Sequence, residues 1–71
     1  MELLASKRYS NHPDDSYLSI VLCRNKSDRL TPYVTHIYNS TLAGGDGGYV
    51  EGHYCETEES AIEDFTNRGR G

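Results

Sequence analysis

The sequence predicts a small α+β domain, an antiparallel sheet of three to four strands with one C-terminal helix packed on one face. Three segments are rich in β-branched and aromatic residues that alternate between two faces, at residues 17–23, 33–39 and 49–55. A glycine-rich stretch separates the last two segments, which suits a reversal of the chain. After Thr57 the apolar residues recur at helical spacing.

The N-terminal half contains one clear strand and one open question. Residues 3–9 alternate only weakly, so a first strand there is left undecided. Residues 11–15, Asn-His-Pro-Asp-Asp, form a turn cluster, because Pro fixes φ and Asp side chains bond to nearby backbone. The strand at 17–23 alternates, and its better core-facing set is Leu18, Ile20 and Leu22.

The next two strands are predicted to form a hairpin. Residues 33–39 are β-formers at almost every position, and residues 42–48 supply a glycine turn before the returning strand. Gly52 in that strand is expected to mark a bulge or a close backbone approach. Strict alternation puts Tyr38 on one face with Val34 and His36, and Tyr54 on one face with Val50 and Gly52.

The helix signals lie at the C-terminal end. Thr57 is a suitable N-cap, Glu58 and Glu59 favour the first turn, and Gly69 after Arg68 provides a stop. The expected apolar stripe is Ala61, Ile62 and Phe65, and the acidic residues expected toward solvent are Glu59, Glu63 and Asp64. One helix cannot cover both faces of a four-stranded sheet, so one face is wet, polar or covered by a partner. Which face the helix covers is not decided by the pattern.

Length and charge limit the classes of function. Seventy-one residues make one domain, 1–71, with 1–2 and 69–71 expected to fray. A chain this small has little room for a catalytic cleft of roughly 300–1,000 Å³, so we expect no enzyme and no cofactor. The formal charge of −4 argues against nucleic acid as the main partner, and Arg68 and Arg70 are interpreted as a solvated tail.

The predicted location is the cytoplasm. The chain has no apolar run of about 18 residues for a membrane and lacks a signal-peptide pattern at its start. In a reducing compartment Cys23 and Cys55 would be free thiols.

Three kinds of chemical site compete with simple structural roles. Zinc could be held by a set of His and Cys residues on neighbouring strands, namely His36, His53, Cys55 and perhaps Cys23. A reactive thiol at Cys55 with a His base is a second possibility, although the nearby glutamates would raise its pKa. The glycine turn is a poor phosphate loop, because a strand rather than a helix follows it and Asp46 would repel an anion.

The preferred function is binding to a larger protein. Exposed sheet tyrosines beside an acidic helix match the combination of aromatic anchors and charged steering groups found at protein interfaces. The candidate partner-binding residues are Tyr38, Tyr54, Glu59, Glu63 and Asp64. The uncovered sheet face also makes a homodimer possible. No membrane and no nucleic-acid partner is expected.

Residues 33–68 resemble a pattern found in short uncharacterised proteins encoded by bacteriophages. The resemblance lies in the strand at 33–39, the turn Gly47-Gly48-Tyr49, the run Gly52-His53-Tyr54 and the helical spacing Ala61-x-x-Asp64-Phe65. It implies no activity for any residue. It does imply a small acidic domain in the host cytoplasm that binds a host protein and blocks or redirects it.

Overall fold

A computed structural model describes residues 1–69 and shows one four-stranded antiparallel sheet with a single α-helix. The strands lie side by side in sequence order, and the element bounds are β1 Glu2–Arg8, β2 Leu18–Arg24, β3 Tyr33–Asn39, β4 Gly48–Cys55 and α1 Glu58–Asn67. The predicted α+β fold is therefore confirmed. Within residues 1–69 no helix is long and apolar enough to cross a membrane.

β1 answers the question that the weak N-terminal pattern left open. It pairs with β2 from Glu2 opposite Arg24 to Arg8 opposite Ser19, with a register shift at Leu4. Glu2, expected to fray, begins the strand, and Nη2 of Arg24 donates to its carboxylate at 2.6 Å. Of the frayed end expected at 69–71, Gly69 is described and follows α1, whereas 70 and 71 lie outside the described residues.

The helix covers the face of the sheet that carries Ile20, Leu22 and Thr35. These residues share one side because directly paired residues in an antiparallel sheet point the same way, and Ile20 pairs with Ile37 as Leu22 pairs with Thr35. Ile20 and Thr35 are fully buried, as is Ala61 of α1. Of the predicted core-facing set, Ile20 and Leu22 are buried on this side as expected, whereas Leu18 lies on the same side but is only half-buried.

The opposite side of the sheet, which we call the open face, has a small apolar cluster of its own. Val21, Cys23 and Val34 are almost completely buried there, with Tyr38 packed against them. Among residues 1–69 no second layer covers them, so neighbouring side chains of the same sheet shield them from water. Both sides of β2 are thus buried, although the alternation favoured only one.

A β-bulge at Glu51 and Gly52 changes the side-chain pattern of β4. Thr35 pairs with His53 and Ile37 with Val50, so the two residues 51 and 52 together oppose His36. Gly52 fulfils its predicted role, because a Cβ there would lie 2.7 Å from Cε1 of His36. Glu51 has a positive φ of 50°.

The bulge overturns the predicted grouping of Tyr54 with Val50. One extra residue inverts the alternation of a strand, so every side chain before it lies on the opposite face from that expected. Val50 consequently lies on the helix side, opposite Ile37, whereas Tyr49 joins Tyr54 on the open face.

The helix ends agree with the capping signals. Oγ1 of Thr57 accepts a hydrogen bond from the backbone N–H of Ser60 at 3.1 Å, and Gly69 follows the C-cap Arg68 with φ of 95°. The predicted apolar stripe is only partly correct. Ala61 is buried and Phe65 is half-buried, but Ile62 is 46% exposed.

Gly52→Ala tests the bulge. The added Cβ must displace the ring of His36, so we expect a loss of about 1–3 kcal/mol in the free energy of unfolding, measured by urea denaturation. Gly48→Ala in the same strand is the control, because its Cβ would meet Leu42 at an ordinary 3.4 Å. Equal stability of the two variants would contradict the close approach.

Candidate functional site

The open face carries the two most exposed tyrosine side chains of the sheet, Tyr49 and Tyr54. Its strand positions, in strand order, are Leu3, Ser6, Arg8, Ser19, Val21, Cys23, Val34, His36, Tyr38, Tyr49, Gly52 and Tyr54. Among these described positions only Arg8, on the edge strand, carries a formal charge when His is neutral. The acidic side chains of the strands, Glu2 and Glu51, pair with arginines instead.

Four rings form an aromatic row on β3 and β4: His36, Tyr38, Tyr49 and Tyr54. The ring centroids of His36 and Tyr49 are 5.4 Å apart, and those of Tyr38 and Tyr49 are 5.3 Å apart. Tyr54 meets His36 edge to face at 6.2 Å. These are the spacings at which aromatic pairs attract one another, so the row holds its shape without a layer above it.

The outer members of this face are accessible. Tyr54 is 63% exposed and Tyr49 is 51% exposed. A shallow groove of about 300 Å³ runs beside the row, lined by Leu3, Ser6, Ser19, Val21, Tyr38 and Tyr49. The face therefore combines a protruding ring at one place with a depression at another.

His36 keeps the centre of the row neutral. Burial lowers the pKa of its imidazole below the ordinary value of 6.5, against the opposing effect of the Val50 carbonyl, and the Arg68 charge lowers it further. In the part of the chain that the structure describes, its Nδ1 is buried without a hydrogen-bond partner. At neutral pH this ring acts as an uncharged aromatic group.

On the helix side, four residues form a polar cluster: Thr35, His53, Asp64 and Arg68. The hydroxyl of Thr35 donates to Asp64, and Nδ1 of His53 lies 3.1 Å from the same carboxylate. Nη1 of Arg68 donates to the carbonyl and hydroxyl oxygens of Thr35 at 2.9 and 3.0 Å, and Nη2 donates to the carbonyl of Glu51 at 2.7 Å.

Two sequence predictions fail at this cluster. Asp64 was expected on the solvent side of the helix with Glu59 and Glu63, and Arg68 was expected in a solvated tail. Ala61, Asp64 and Arg68 are instead spaced i, i+3 and i+7 along one face of α1, the face that packs on the sheet. That spacing is present in the sequence, but two of its three residues are charged, and charged residues on a helix are typical of a solvated face.

The cluster fixes the charge of Asp64. Burial alone would raise the pKa of this carboxyl, but hydrogen bonds from Thr35 and His53 and the charges of His53 and Arg68 outweigh it and lower the pKa below 3.8. Asp64 is thus used inside the domain. Glu59 and Glu63, by contrast, lie exposed on α1 as predicted.

The four candidate zinc ligands do not converge. His53 and Cys55 pair with Thr35 and Tyr33 and so lie on the helix side, whereas His36 and Cys23 lie on the open face. Among residues 1–69 no three His, Cys, Asp or Glu side chains are placed to hold a metal ion. The expectation of convergence overlooked that neighbouring residues of a strand, such as Thr35 and His36, point to opposite faces.

The surroundings of Cys55 favour its protonated thiol over the thiolate. Burial raises the pKa of its thiol, and the Asp64 carboxylate raises it further. A reactive cysteine needs the opposite shift, because the thiolate is the nucleophile. The sequence also predicts a raised pKa for this thiol, but it attributes the effect to the neighbouring glutamates. In the structure the carboxylate responsible is Asp64 of the helix-side cluster.

Asp64→Asn is expected to lower the free energy of unfolding by about 1–3 kcal/mol at neutral pH. Thr35 and His53 both bond to this carboxylate, and Arg68 donates to Thr35 in turn. A depressed carboxyl pKa contributes stability above its unfolded value, and this contribution is lost as the pH falls through the folded value. The difference in the free energy of unfolding between wild type and variant should therefore be constant at neutral pH and shrink below pH 3.8. Urea titrations over a pH series measure this, with the exposed Glu63→Gln as a control that leaves stability unchanged.

Metal content gives a second check on the placement of the histidines and cysteines. Because His36 and Cys23 are separated from His53 and Cys55 by the sheet, we expect far less than one equivalent of zinc in protein purified without chelator. EDTA should leave the melting temperature unchanged. A stoichiometric metal lost in EDTA with a fall in melting temperature would contradict the arrangement.

Comparison with protein-family models, with curated proteins and with solved structures finds no match to this chain. The resemblance to short phage-encoded proteins therefore stays a prediction, and the function has to be argued from the open face and the polar cluster themselves.

Proposed function

We propose that this chain is a small, non-enzymatic protein-binding module that docks onto a larger protein through its open sheet face. The observation that carries the proposal is the aromatic row, which lies on a sheet surface that the helix leaves uncovered and on which Arg8 is the one charged strand residue described. Aromatic residues are enriched and charged residues depleted at the cores of protein interfaces. The open face has this composition, and the helix side does not.

Within the row, Tyr54 is the best anchor. It is the most exposed of the three tyrosines on this face and its ring is held edge-on against His36. A rigid, exposed aromatic ring gains much from burial at little cost in side-chain entropy. Tyr49, half exposed, lies two ring contacts away and extends the same surface.

Tyr38 has a mixed role. Its ring packs on the buried cluster of the open face, and its hydroxyl donates to the Asp46 carbonyl at 3.4 Å. It also lies directly over Gly47, where no Cβ would fit. Tyr38 thus supports the hairpin loop as well as offering a surface to a partner.

The acidic helix contributes at a distance. Glu59 and Glu63 lie on the other side of the sheet, and the smallest dimension of the domain is 16 Å. The Debye length is about 10 Å at 0.1 M salt, so their field reaches the open face only in weakened form. We assign them a role in the approach of the partner at low ionic strength, and we withdraw Asp64 from that role because the polar cluster uses it.

The class of partner follows from the same surface. With Arg8 as the one charged strand residue of the described open face, the contact surface of the partner should be mainly uncharged and apolar. If the resemblance of residues 33–68 to phage proteins holds, the partner is a protein of the host cytoplasm. Blocking or redirecting that protein would then be the consequence of binding.

A photo-crosslinking residue placed at position 54 tests the docking face. Irradiation in a native lysate should join the chain to one larger protein, because position 54 would be covered in the complex. The same residue at position 63, exposed on α1, is the matched control and should give no such product. Cross-linking only from position 63 would contradict the proposal.

With the captured partner in hand, Tyr54→Ala should weaken binding by roughly 2 kcal/mol, or about 30-fold in Kd, chiefly through faster dissociation. Surface plasmon resonance measures both rates. Tyr38→Ala should lose a similar amount but also lower the melting temperature, because Tyr38 packs on the buried cluster. Leu30→Ala is the control, since Leu30 is 82% exposed in the loop between β2 and β3.

Reversing the helix charges should affect the other rate constant. Glu59→Lys combined with Glu63→Lys is expected to slow association and to flatten its salt dependence, leaving dissociation nearly unchanged. The effect should be visible at about 0.01 M salt and largely screened at 0.15 M. A change confined to dissociation would show that the helix touches the partner directly.

A further inference from the structure

We infer that, when no larger partner is bound, the open face binds a second copy of this chain as a weak, face-to-face homodimer. The inference rests on the proposed function in that it uses the same surface. It goes further in naming one occupant, and charge, shape and area each bear on the choice.

Charge segregation removes the usual obstacle to self-association of an acidic chain. The formal charge is −4, but the acidic strand and helix side chains lie off the open face. Two sheets stack about 10 Å apart, and each helix would lie about 10 Å beyond its own sheet, so the acidic helices would be about 30 Å apart. That is about three Debye lengths at 0.1 M salt, and the repulsion between the two copies is therefore small.

The face is also complementary to itself in shape. Tyr54, 63% exposed, lies on β4 opposite Val34, whereas the groove is lined from all four strands and includes Ser19 and Val21 of β2. The groove, about 300 Å³, has room for a tyrosine ring. A two-fold axis midway between Tyr54 and the groove would place each Tyr54 in the groove of the other copy. This is the isologous contact expected of a symmetric dimer.

The same geometry sets the crossing of the two sheets. Tyr54 and the groove are displaced from each other both across the strands and along them. The two-fold axis that exchanges them therefore runs diagonally to the strands. A diagonal axis turns the strands of one sheet nearly perpendicular to those of the other. Orthogonal packing is one of the two arrangements that stacked sheets adopt.

Area predicts a weak dimer. Four strands at about 4.8 Å spacing and about seven residues at 3.3 Å each give the face a footprint of about 440 Å². Two such faces cover about 900 Å², below the roughly 1,200–2,000 Å² of stable complexes. The dimer should thus dissociate in the range of about 10 µM to 1 mM and give way to a tighter partner on the same face.

Sedimentation equilibrium from about 5 µM to 2 mM tests the inference on the full chain. Wild type should pass from monomer to dimer, Tyr54→Phe should do the same, and Tyr54→Glu should stay monomeric because it places a charge in the apolar contact. Leu30→Glu, exposed in a loop away from the face, should dimerise like wild type. Circular dichroism confirms that each variant is folded.

An isotope-filtered NOE experiment on a mixture of labelled and unlabelled wild-type chains needs no variant. It should give intermolecular contacts between the Tyr54 ring and the methyl groups of Val21. A strict monomer at 2 mM, or a dimer without these contacts that Tyr54→Glu leaves intact, overturns the inference. Neither result bears on the proposed function. That proposal fails instead if the photo-crosslinking residue at position 54 captures no larger protein in the lysate.

Discussion

The side chain of Arg68 is the contact on which the arrangement of both faces depends. Its guanidinium reaches from the C-cap of α1 to the carbonyl of Thr35 in β3 and to that of Glu51 at the bulge in β4. A bulge leaves backbone groups without ladder partners, and a nearly buried arginine satisfies one of them. The bulge in turn places Tyr49 and Tyr54 on one face. A residue beyond the last helical turn therefore supports a surface on the opposite side of the sheet.

Much of the fold could be predicted from local pattern, because its signals are local. The alternation at 33–39, the cap at Thr57 and the glycine turn each depend on neighbouring residues, and each is found where expected. The grouping of Tyr54 with Val50 failed although Gly52 had been identified as a bulge. The bulge adds one residue to β4, and one residue of slip exchanges the two faces for every residue before it.

The site was harder to predict because it depends on which elements meet. Asp64 and Arg68 look like solvated charges until Thr35 and His53 are placed beneath them, and no spacing within one segment reveals that pairing. The zinc set shows the converse, since His36 and His53 are close along the sheet yet separated by its thickness. Residue types alone suggested a site, and only the register decided which side each one occupied.

The strand order has a consequence for how the chain folds. Each strand pairs with its neighbour in sequence, so the sheet is assembled from short loops that close at little entropic cost. The contacts that join the two ends of the chain come from the helix, where Nζ of Lys7 donates to the Thr66 carbonyl across a separation of 59 residues. We therefore expect the strand pairings to form early and the helix to dock last, so that Arg68 reaches the bulge and fixes the two faces only in the final step of folding.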